Sequence, residues 1–384
     1  MLRFFGISFQ ELWVLRLADT IKTERGDSSV DSDEEQTWSG LPIELLEQFI
    51  SKLNLKDNIR ASAVCKCWLA VAFSVRQANK PPWLMYMPKH GDLCEFYDPS
   101  ERKKYWLKFP ELQDSRLCYA KDGWLLMMNP KPQNIFFFCP YTRDVIKLPV
   151  LQRLALQMIA FSAAPTSPSC VLFTVRRVVG SIVEIRTCRP GDKEWTTTNY
   201  ESHTAFDCSL FDKIVFSKGH FCCFSYTSFL GLYSHSKSSW TVHHVPLPQR
   251  PLNSYSKSWY NRKFMAEHGG IVYLVNSSSH DDPLVFKLDE TKMEWIRIET
   301  LGNLTLFVSF YSCHAVTDLL GKMRNSVYFP KVLYYGKRCV QYSLDKERFF
   351  PRKKLNGWEE NDTFDRIWIE APEDLSFLYE RRKS

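Results

Sequence analysis

No stretch of eighteen apolar residues occurs anywhere in this 384-residue chain, so no transmembrane helix is expected. Glycine is scarce, at 15 residues, and it forms no phosphate-cradling loop. The one adjacent pair near a strand-like run, Gly269-Gly270, suits a turn. There is no G-x-S-x-G elbow and no H-E-x-x-H helix, which removes the common hydrolase and zinc-protease arrangements. The twelve cysteines follow no regular spacing, and a chain of this length is no disulfide-stapled mini-scaffold. Cys65-x-Cys67 falls within an expected helix, where residues two apart face different directions. Cys222-Cys223 and His243-His244 each split between the two faces of a strand, so four convergent zinc ligands are missing. The cysteines therefore read as small core residues of a reducing compartment, the cytoplasm and/or nucleus. Phe4 to Leu17 is apolar but broken by Gln10-Glu11 and Arg16, and no small-residue cleavage pattern follows. It reads as an amphipathic helix or an imprecise gene-model extension rather than a secretory signal.

Charge is unevenly spread. The net charge is +7, yet residues 1–37 hold eight acids against four bases. Asp27 to Glu35 contributes five acids and no base, which reads as a flexible, solvated linker. The rest of the chain is mildly basic, which is compatible with an acidic partner or nucleic acid but diagnostic of neither.

The strongest helical pattern lies in the 39 residues from Trp38 to Arg76. Leu41-Pro42 opens a helix, because proline near a helix start loses no hydrogen bond. Leu45, Leu46, Phe49, Ile50 and Leu53 then recur at helical spacing and predict one continuous apolar face. Asn54 is placed to cap a second helix with Asp57 in its first turn, followed by Ile59, Ala63 and Val64. A third run sets Cys65, Trp68, Leu69, Ala72 and Phe73 on one side. Units below about 40 residues seldom make a self-sufficient core. The surplus apolar surface is thus either a cap folded onto the rest of the chain or a partner-docking face.

These residues carry a resemblance. Leu41-Pro42-x-Glu44-Leu45-Leu46, Ile50, Leu53 and Val64-Cys65-Lys66-x-Trp68 are similar to an F-box, the motif that docks on the adaptor subunit of SCF-type ubiquitin ligases. The resemblance implies that Leu41, Pro42, Leu45, Leu46, Ile50, Leu53, Ile59, Val64, Cys65 and Trp68 form the adaptor-facing surface and its supporting core, with Trp68 as an anchor. One departure stands out: many F-boxes read Asp-Leu where this chain has Asp57-Asn58, and Ile59 is the apolar residue placed to compensate.

After Pro81-Pro82 the texture changes. Short β-branched and aromatic runs alternate with turn clusters, among them residues 84–88, 124–129, 134–140, 170–175, 181–188, 213–226, 269–276 and 283–288. Strands at this spacing without helices between them predict an all-β sandwich, barrel or propeller. A degenerate repeat chooses among these. An apolar strand, a charged turn and a strand opening on Trp or Ile recur around Trp106, Ile146, Trp195, Trp240 and Trp295, which are 40, 49, 45 and 55 residues apart. Propeller blades take roughly 40 to 50 residues, so residues 83–371 predict about six blades. A pair of stacked sheets is the alternative.

The segment 294–330 is similar to the carboxy-terminal signature of a large plant F-box family that pairs the F-box with a kelch-like β domain. Residues 81–99, 121–126 and 335–353 resemble the same family. The expected architecture is a flexible acidic segment at 1–37, an F-box at 38–80, a kelch-like β-propeller at 81–371 and a tail at 372–384. A kelch-type copper oxidase would need Tyr, Cys and His converging at the propeller axis, and nothing in the spacing sets such ligands apart. No catalysis, metal or cofactor is expected. The resemblance implies a substrate receptor bound to the SCF adaptor, through it to the cullin scaffold, and to a protein substrate, with no membrane partner. The alternatives are a scaffold role outside any ligase and an RNA-associated propeller. RNA would be met by Arg176-Arg177, residues 257–263 or Arg348 to Lys354, although charged residues bordering aromatic strand ends more often form the solvated rim of a β domain.

Overall fold

In a computed structural model the described residues are 43–51, 53, 55–77, 80–88, 91–130, 133–151, 158–202, 206–207, 213–248, 262–277, 282–319, 323–333, 338–351, 365–372 and 377. The expectations for residues 1–37, for Leu41-Pro42 and for the Asn54 cap lie outside them. The chain divides into two compact units, Met1–Arg76 and Gln77–Ser384.

The first unit holds three helices, α1 (Ile43–Ile50), α2 (Leu55–Ala61) and α3 (Lys66–Gln77). Asp57 lies in the first turn of α2, where the helix dipole favours an acid, and pairs with Arg60 at 3.0 Å. Cys65 stands just before α3 rather than inside it, and its Sγ accepts the Trp68 amide at 3.5 Å. That contact serves one of the amides left open at a helix start. Leu46, Ile50, Ala61, Trp68, Val71 and Ala72 form a core of their own.

The second unit is a six-bladed β-propeller. Blade 1 joins β1 (Trp83–Tyr86), β2 (Leu93–Asp98) and β3 (Lys103–Lys108) to the last strand among the described residues, β25 (Arg366–Ile369), which lies innermost. Blade 2 runs outward through β4 (Arg116–Lys121), β5 (Trp124–Pro130), β6 (Gln133–Phe138) and β7 (Val145–Lys147). Blade 3 is β8 (Met158–Phe161), β9 (Leu172–Val179), β10 (Ile182–Cys188) and β11 (Thr196–Glu201). Blade 4 is β12 (Lys213–Ser217), β13 (His220–Phe224), β14 (Phe229–Ser234) and β15 (Ser239–His244). Blade 5 is β16 (Arg262–His268), β17 (Ile271–Ser277), β18 (Leu284–Asp289) and β19 (Glu294–Ile298). Blade 6 has five strands: β21 (Cys313–Thr317) innermost, then β20 (Leu304–Val308), β22 (Ser326–Leu333), β23 (Arg338–Ser343) and β24 (Arg348–Phe350). Its β20–β22 pairing is parallel, because the chain returns to the axis through β21 before moving outward.

Six apolar clusters fill the spaces between successive blades. Strand alternation feeds two of them from each blade. Cys222 enters the cluster shared with blade 5, and its neighbour Cys223 the one shared with blade 3. The repeat markers fall where the spacing predicts. Trp106, Ile146, Trp240 and Trp295 sit in the outermost strands of blades 1, 2, 4 and 5, and Trp195 directly precedes that of blade 3. Gly269-Gly270 is the β16–β17 turn, with φ of +59° and +78°, the primed hairpin geometry that glycine adopts without strain.

A candidate partner-docking surface

The fold of the helical unit sorts the described F-box-like residues into three groups. Leu46, Ile50 and Trp68 point into the core, with Trp68 only 8% exposed and Phe49 edge-on to it at 6.2 Å. Leu53 and Cys65 are half-buried at its margin. Leu45, Ile59 and Val64 point outward at 47, 53 and 59% exposure. The single apolar face expected of α1 is thus divided, because Leu45 and Leu46 are 100° apart around the helix. Trp68 belongs to the supporting core. Three further outward residues escaped the sequence reading as surface groups: Ile43, Leu69 and Phe73, each about half exposed. Leu69 and Phe73 are i,i+4 neighbours on α3, and their helical spacing had grouped them with buried Trp68. Large apolar side chains this exposed, on a unit with a core of its own, are candidates for an interaction surface.

Asn58 is 3% exposed and its Oδ1 has no hydrogen-bond partner among the described residues. The position is a core position. Ile59 does not replace the apolar side chain missing there, because one residue further round α2 it faces out.

In the propeller, the turn between β20 and β21 reaches across the axis. The Tyr311 carbonyl accepts the Ala120 amide of β4 at 3.0 Å, and the Phe310 carbonyl accepts Lys213 Nζ of β12 at 3.3 Å. Ser312 Oγ donates to the Trp368 carbonyl of β25 at 2.6 Å. One turn is thereby tied to three other blades. Beside it the Glu370 carboxylate accepts the Asp122 and Gly123 amides at 2.8 and 2.6 Å and lies 3.3 Å from His314 Nδ1. The Tyr141 hydroxyl donates to the Glu370 carbonyl. Burial pushes the Glu370 carboxyl up, but the His314 imidazolium and the amides outweigh it and hold the group at about 2.

This axis does carry Cys118, Tyr119, Cys313 and His314 on β4 and β21. Burial pushes the Cys118 thiol up to about 12 and Cys313 to about 11, so both are protonated and poor nucleophiles at neutral pH. His314 is committed to Glu370 and the Trp368 carbonyl. Among the described residues no three His, Cys, Asp or Glu side chains gather as a metal site. The basic segments scatter over three blades. Arg176 is held bidentately by Glu184 at 2.7 and 2.8 Å, and Arg177 pairs with Asp207. Arg262 and Lys263 open β16, and Arg348 lies over Phe350 at 4.7 Å. Residues 257–261 and 352–354 are outside the described set.

Two family profiles match the chain, F-box domain over residues 38–77 and KIB1-4 beta-propeller over residues 96–355. The chain belongs to the F-box family carrying a KIB1-4 β-propeller. An F-box/kelch-repeat protein of Arabidopsis thaliana is 41% identical over 351 residues, covering 90% of this chain and 98% of that relative. An F-box protein of the same plant is 39% identical over 347 residues, covering 90 and 92%. Among solved structures, TolB from Acinetobacter baumannii aligns with a TM-score of 0.39 at 11% identity, over 72% of this chain and 65% of TolB, a likeness too faint to carry argument. In this F-box protein the F-box and the propeller thus occur in one chain, and the match to these two relatives covers 98 and 92% of their lengths.

Proposed function

We propose that this F-box protein is the substrate-recognition subunit of an SCF-type ubiquitin ligase in the cytoplasm and/or nucleus. The helical unit docks on the adaptor subunit and through it on the cullin scaffold, and the propeller holds a protein substrate. The observation that carries this is the outward set Leu45, Ile59 and Val64 on a unit whose core is already closed by Leu46, Ile50 and Trp68. The chain supplies positioning rather than chemistry. Tethering raises the local concentration of substrate beside the activated ubiquitin.

The test is capture of the purified chain by the adaptor subunit. Leu45→Asp and Val64→Asp each place a charge on the outward surface and leave the core intact. Each is expected to weaken capture by about 2 kcal/mol or more, with the helical melting transition unchanged. Trp68→Ala should also lose capture, but by melting the unit, which the same thermal scan shows. Capture of Leu45→Asp and Val64→Asp at the wild-type level removes the receptor reading.

A further inference from the structure

Blade 1 carries a row of side chains that, among the described residues, its neighbour does not cover. Antiparallel register sets Arg366 of β25 opposite Tyr86 of β1, Tyr86 opposite Glu95 of β2, and Glu95 opposite Trp106 of β3. The four therefore share one face and run from the inner strand to the rim. The next row on that face, Trp368, Leu84 and Tyr97, is buried against blade 6. Among the described residues the packing stops at the first row. A cavity of about 130 Å³ opens there, lined by Tyr86, Glu95, Lys104 and Arg366 over a floor of Leu84, with Val332 of blade 6 opposite. On that wall β22 slips register between Phe329 and Val332.

The polar groups in the cleft are unevenly matched. Lys104 Nζ is held by Glu95 at 2.8 Å. The Arg366 guanidinium lies 5.4 Å from the centre of the Tyr86 ring and has neither an ion pair nor a hydrogen bond among the described residues. At the rim, Trp106 is 57% exposed. Its counterparts pack on the blade before them: Trp195 Nε1 donates to the Pro149 carbonyl at 3.0 Å, Trp240 Nε1 to Ser202 at 3.0 Å, and Trp295 stands edge-on to Phe224 at 5.2 Å. Trp106 alone of these four leaves most of an indole to solvent.

We propose that this cleft between blades 1 and 6 binds an extended peptide segment of the substrate protein. An oxyanion side chain of the segment meets Arg366, and an aromatic or proline ring stacks on Trp106. A guanidinium beside a phenol suits a carboxylate or phosphate, and an exposed indole suits a flat ring. The spacing follows from the sheet. Three inter-strand steps of about 4.8 Å separate the two anchors by about 14 Å, the reach of about four extended residues. Between them Glu95, already matched by Lys104, opposes a second acid, so the intervening positions are uncharged or basic.

The inference rests on the substrate-holding half of the proposed function, and its test needs no adaptor, so the two can fail separately. Short fluorescent peptides carry one Glu and one Phe about four residues apart, in either order, in a Ser/Ala background. Their binding to the full chain is followed by anisotropy. Glu→Gln in the peptide, or halving the spacing, is expected to weaken binding about tenfold. Phosphoserine in place of Glu distinguishes a phosphate from a carboxylate as the better anion. Arg366→Gln should erase the preference for Glu over Gln, and Trp106→Ala should cost about tenfold with the Phe peptide. Absence of saturation at millimolar peptide in both orders overturns the proposal, as does equal binding of the Glu and Gln peptides. The peptide series on the unaltered chain stands even where a variant fails to fold.

Discussion

At position 58 a carboxamide occupies the inward side of α2, 3% exposed, and its oxygen is left without a donor among the described residues. Burying an unmatched amide costs about 1–3 kcal/mol. Asn58→Leu is therefore expected to stabilise the helical unit by about 1–2 kcal/mol, read as a rise in its thermal or urea midpoint. No change in that midpoint, or a fall, means the amide is matched in solution. Gly231 on β14 shows the opposite kind of constraint. A Cβ built there would overlap the Trp240 indole, which cannot withdraw because its Nε1 is bonded to Ser202 at 3.0 Å and Phe206 stands edge-on at 5.1 Å. Gly231→Ala is expected to cost the propeller about 3 kcal/mol in denaturant unfolding, at the upper end of overpacking effects. Wild-type stability would show that the indole has room to move.

Among the elements, β25 is held by a clamp whose strength depends on pH. Glu370 follows it and ties the β4–β5 turn to His314 on β21. The carboxyl is lowered from its ordinary 4.5 to about 2, so its contribution is whole above 4.5 and fades as pH falls toward 2. For His314, burial pulls the pKa down, but Glu370, then the Trp368 carbonyl and lastly Asp122, raise it above the ordinary 6.5. That contribution is whole below 6.5 and is lost as pH climbs through the raised value. The propeller is expected to melt highest between about pH 4.5 and 6.5 and to lose stability on both sides. In His314→Gln the alkaline decline should flatten, and an unchanged decline would dissociate it from this pair.

Which elements were legible follows from where their information lies. The outer strands announce themselves locally, through a turn and a Trp or Ile such as Trp240 and Trp295. Of the inner strands, β4, β16 and β25 read RLCYAK, RKFMAEH and RIWI, each with a cation at its start and no clean alternation. Each is the innermost strand of its blade and is completed by pairing with one neighbour, β5, β17 or β1. The β20–β21 detour and the Arg366-to-Trp106 row are likewise invisible in the sequence, since each depends on register between strands distant in the chain. For the docking surface, helical spacing identified the apolar residues but not their direction, because Leu45 and Leu46 differ only by a 100° turn.

Across the propeller, closure of the ring depends on β25, the last strand among the described residues. β25 pairs with β1 from Trp83–Ile369 to Tyr86–Arg366, joining residues about 280 positions apart, and so completes blade 1 from both ends of the propeller. Ile367, Trp368 and Ile369 are all within 1% of complete burial. Each such side chain contributes about 1.5–3 kcal/mol, so the strand brings about 5–9 kcal/mol before its backbone hydrogen bonds are counted. That matches the entire stability of many domains, about 5–15 kcal/mol. Its loss also bares the inner edge of β1 and the buried faces of Trp83, Leu84 and Met85. Truncation after residue 364 is therefore expected to abolish the cooperative β-sheet transition in circular dichroism and to leave residues 83–351 open to protease. Restoring residues 365–384 as a separate peptide should recover part of both signals. A truncated chain that melts cooperatively near the wild-type midpoint would mean that blade 1 closes without β25.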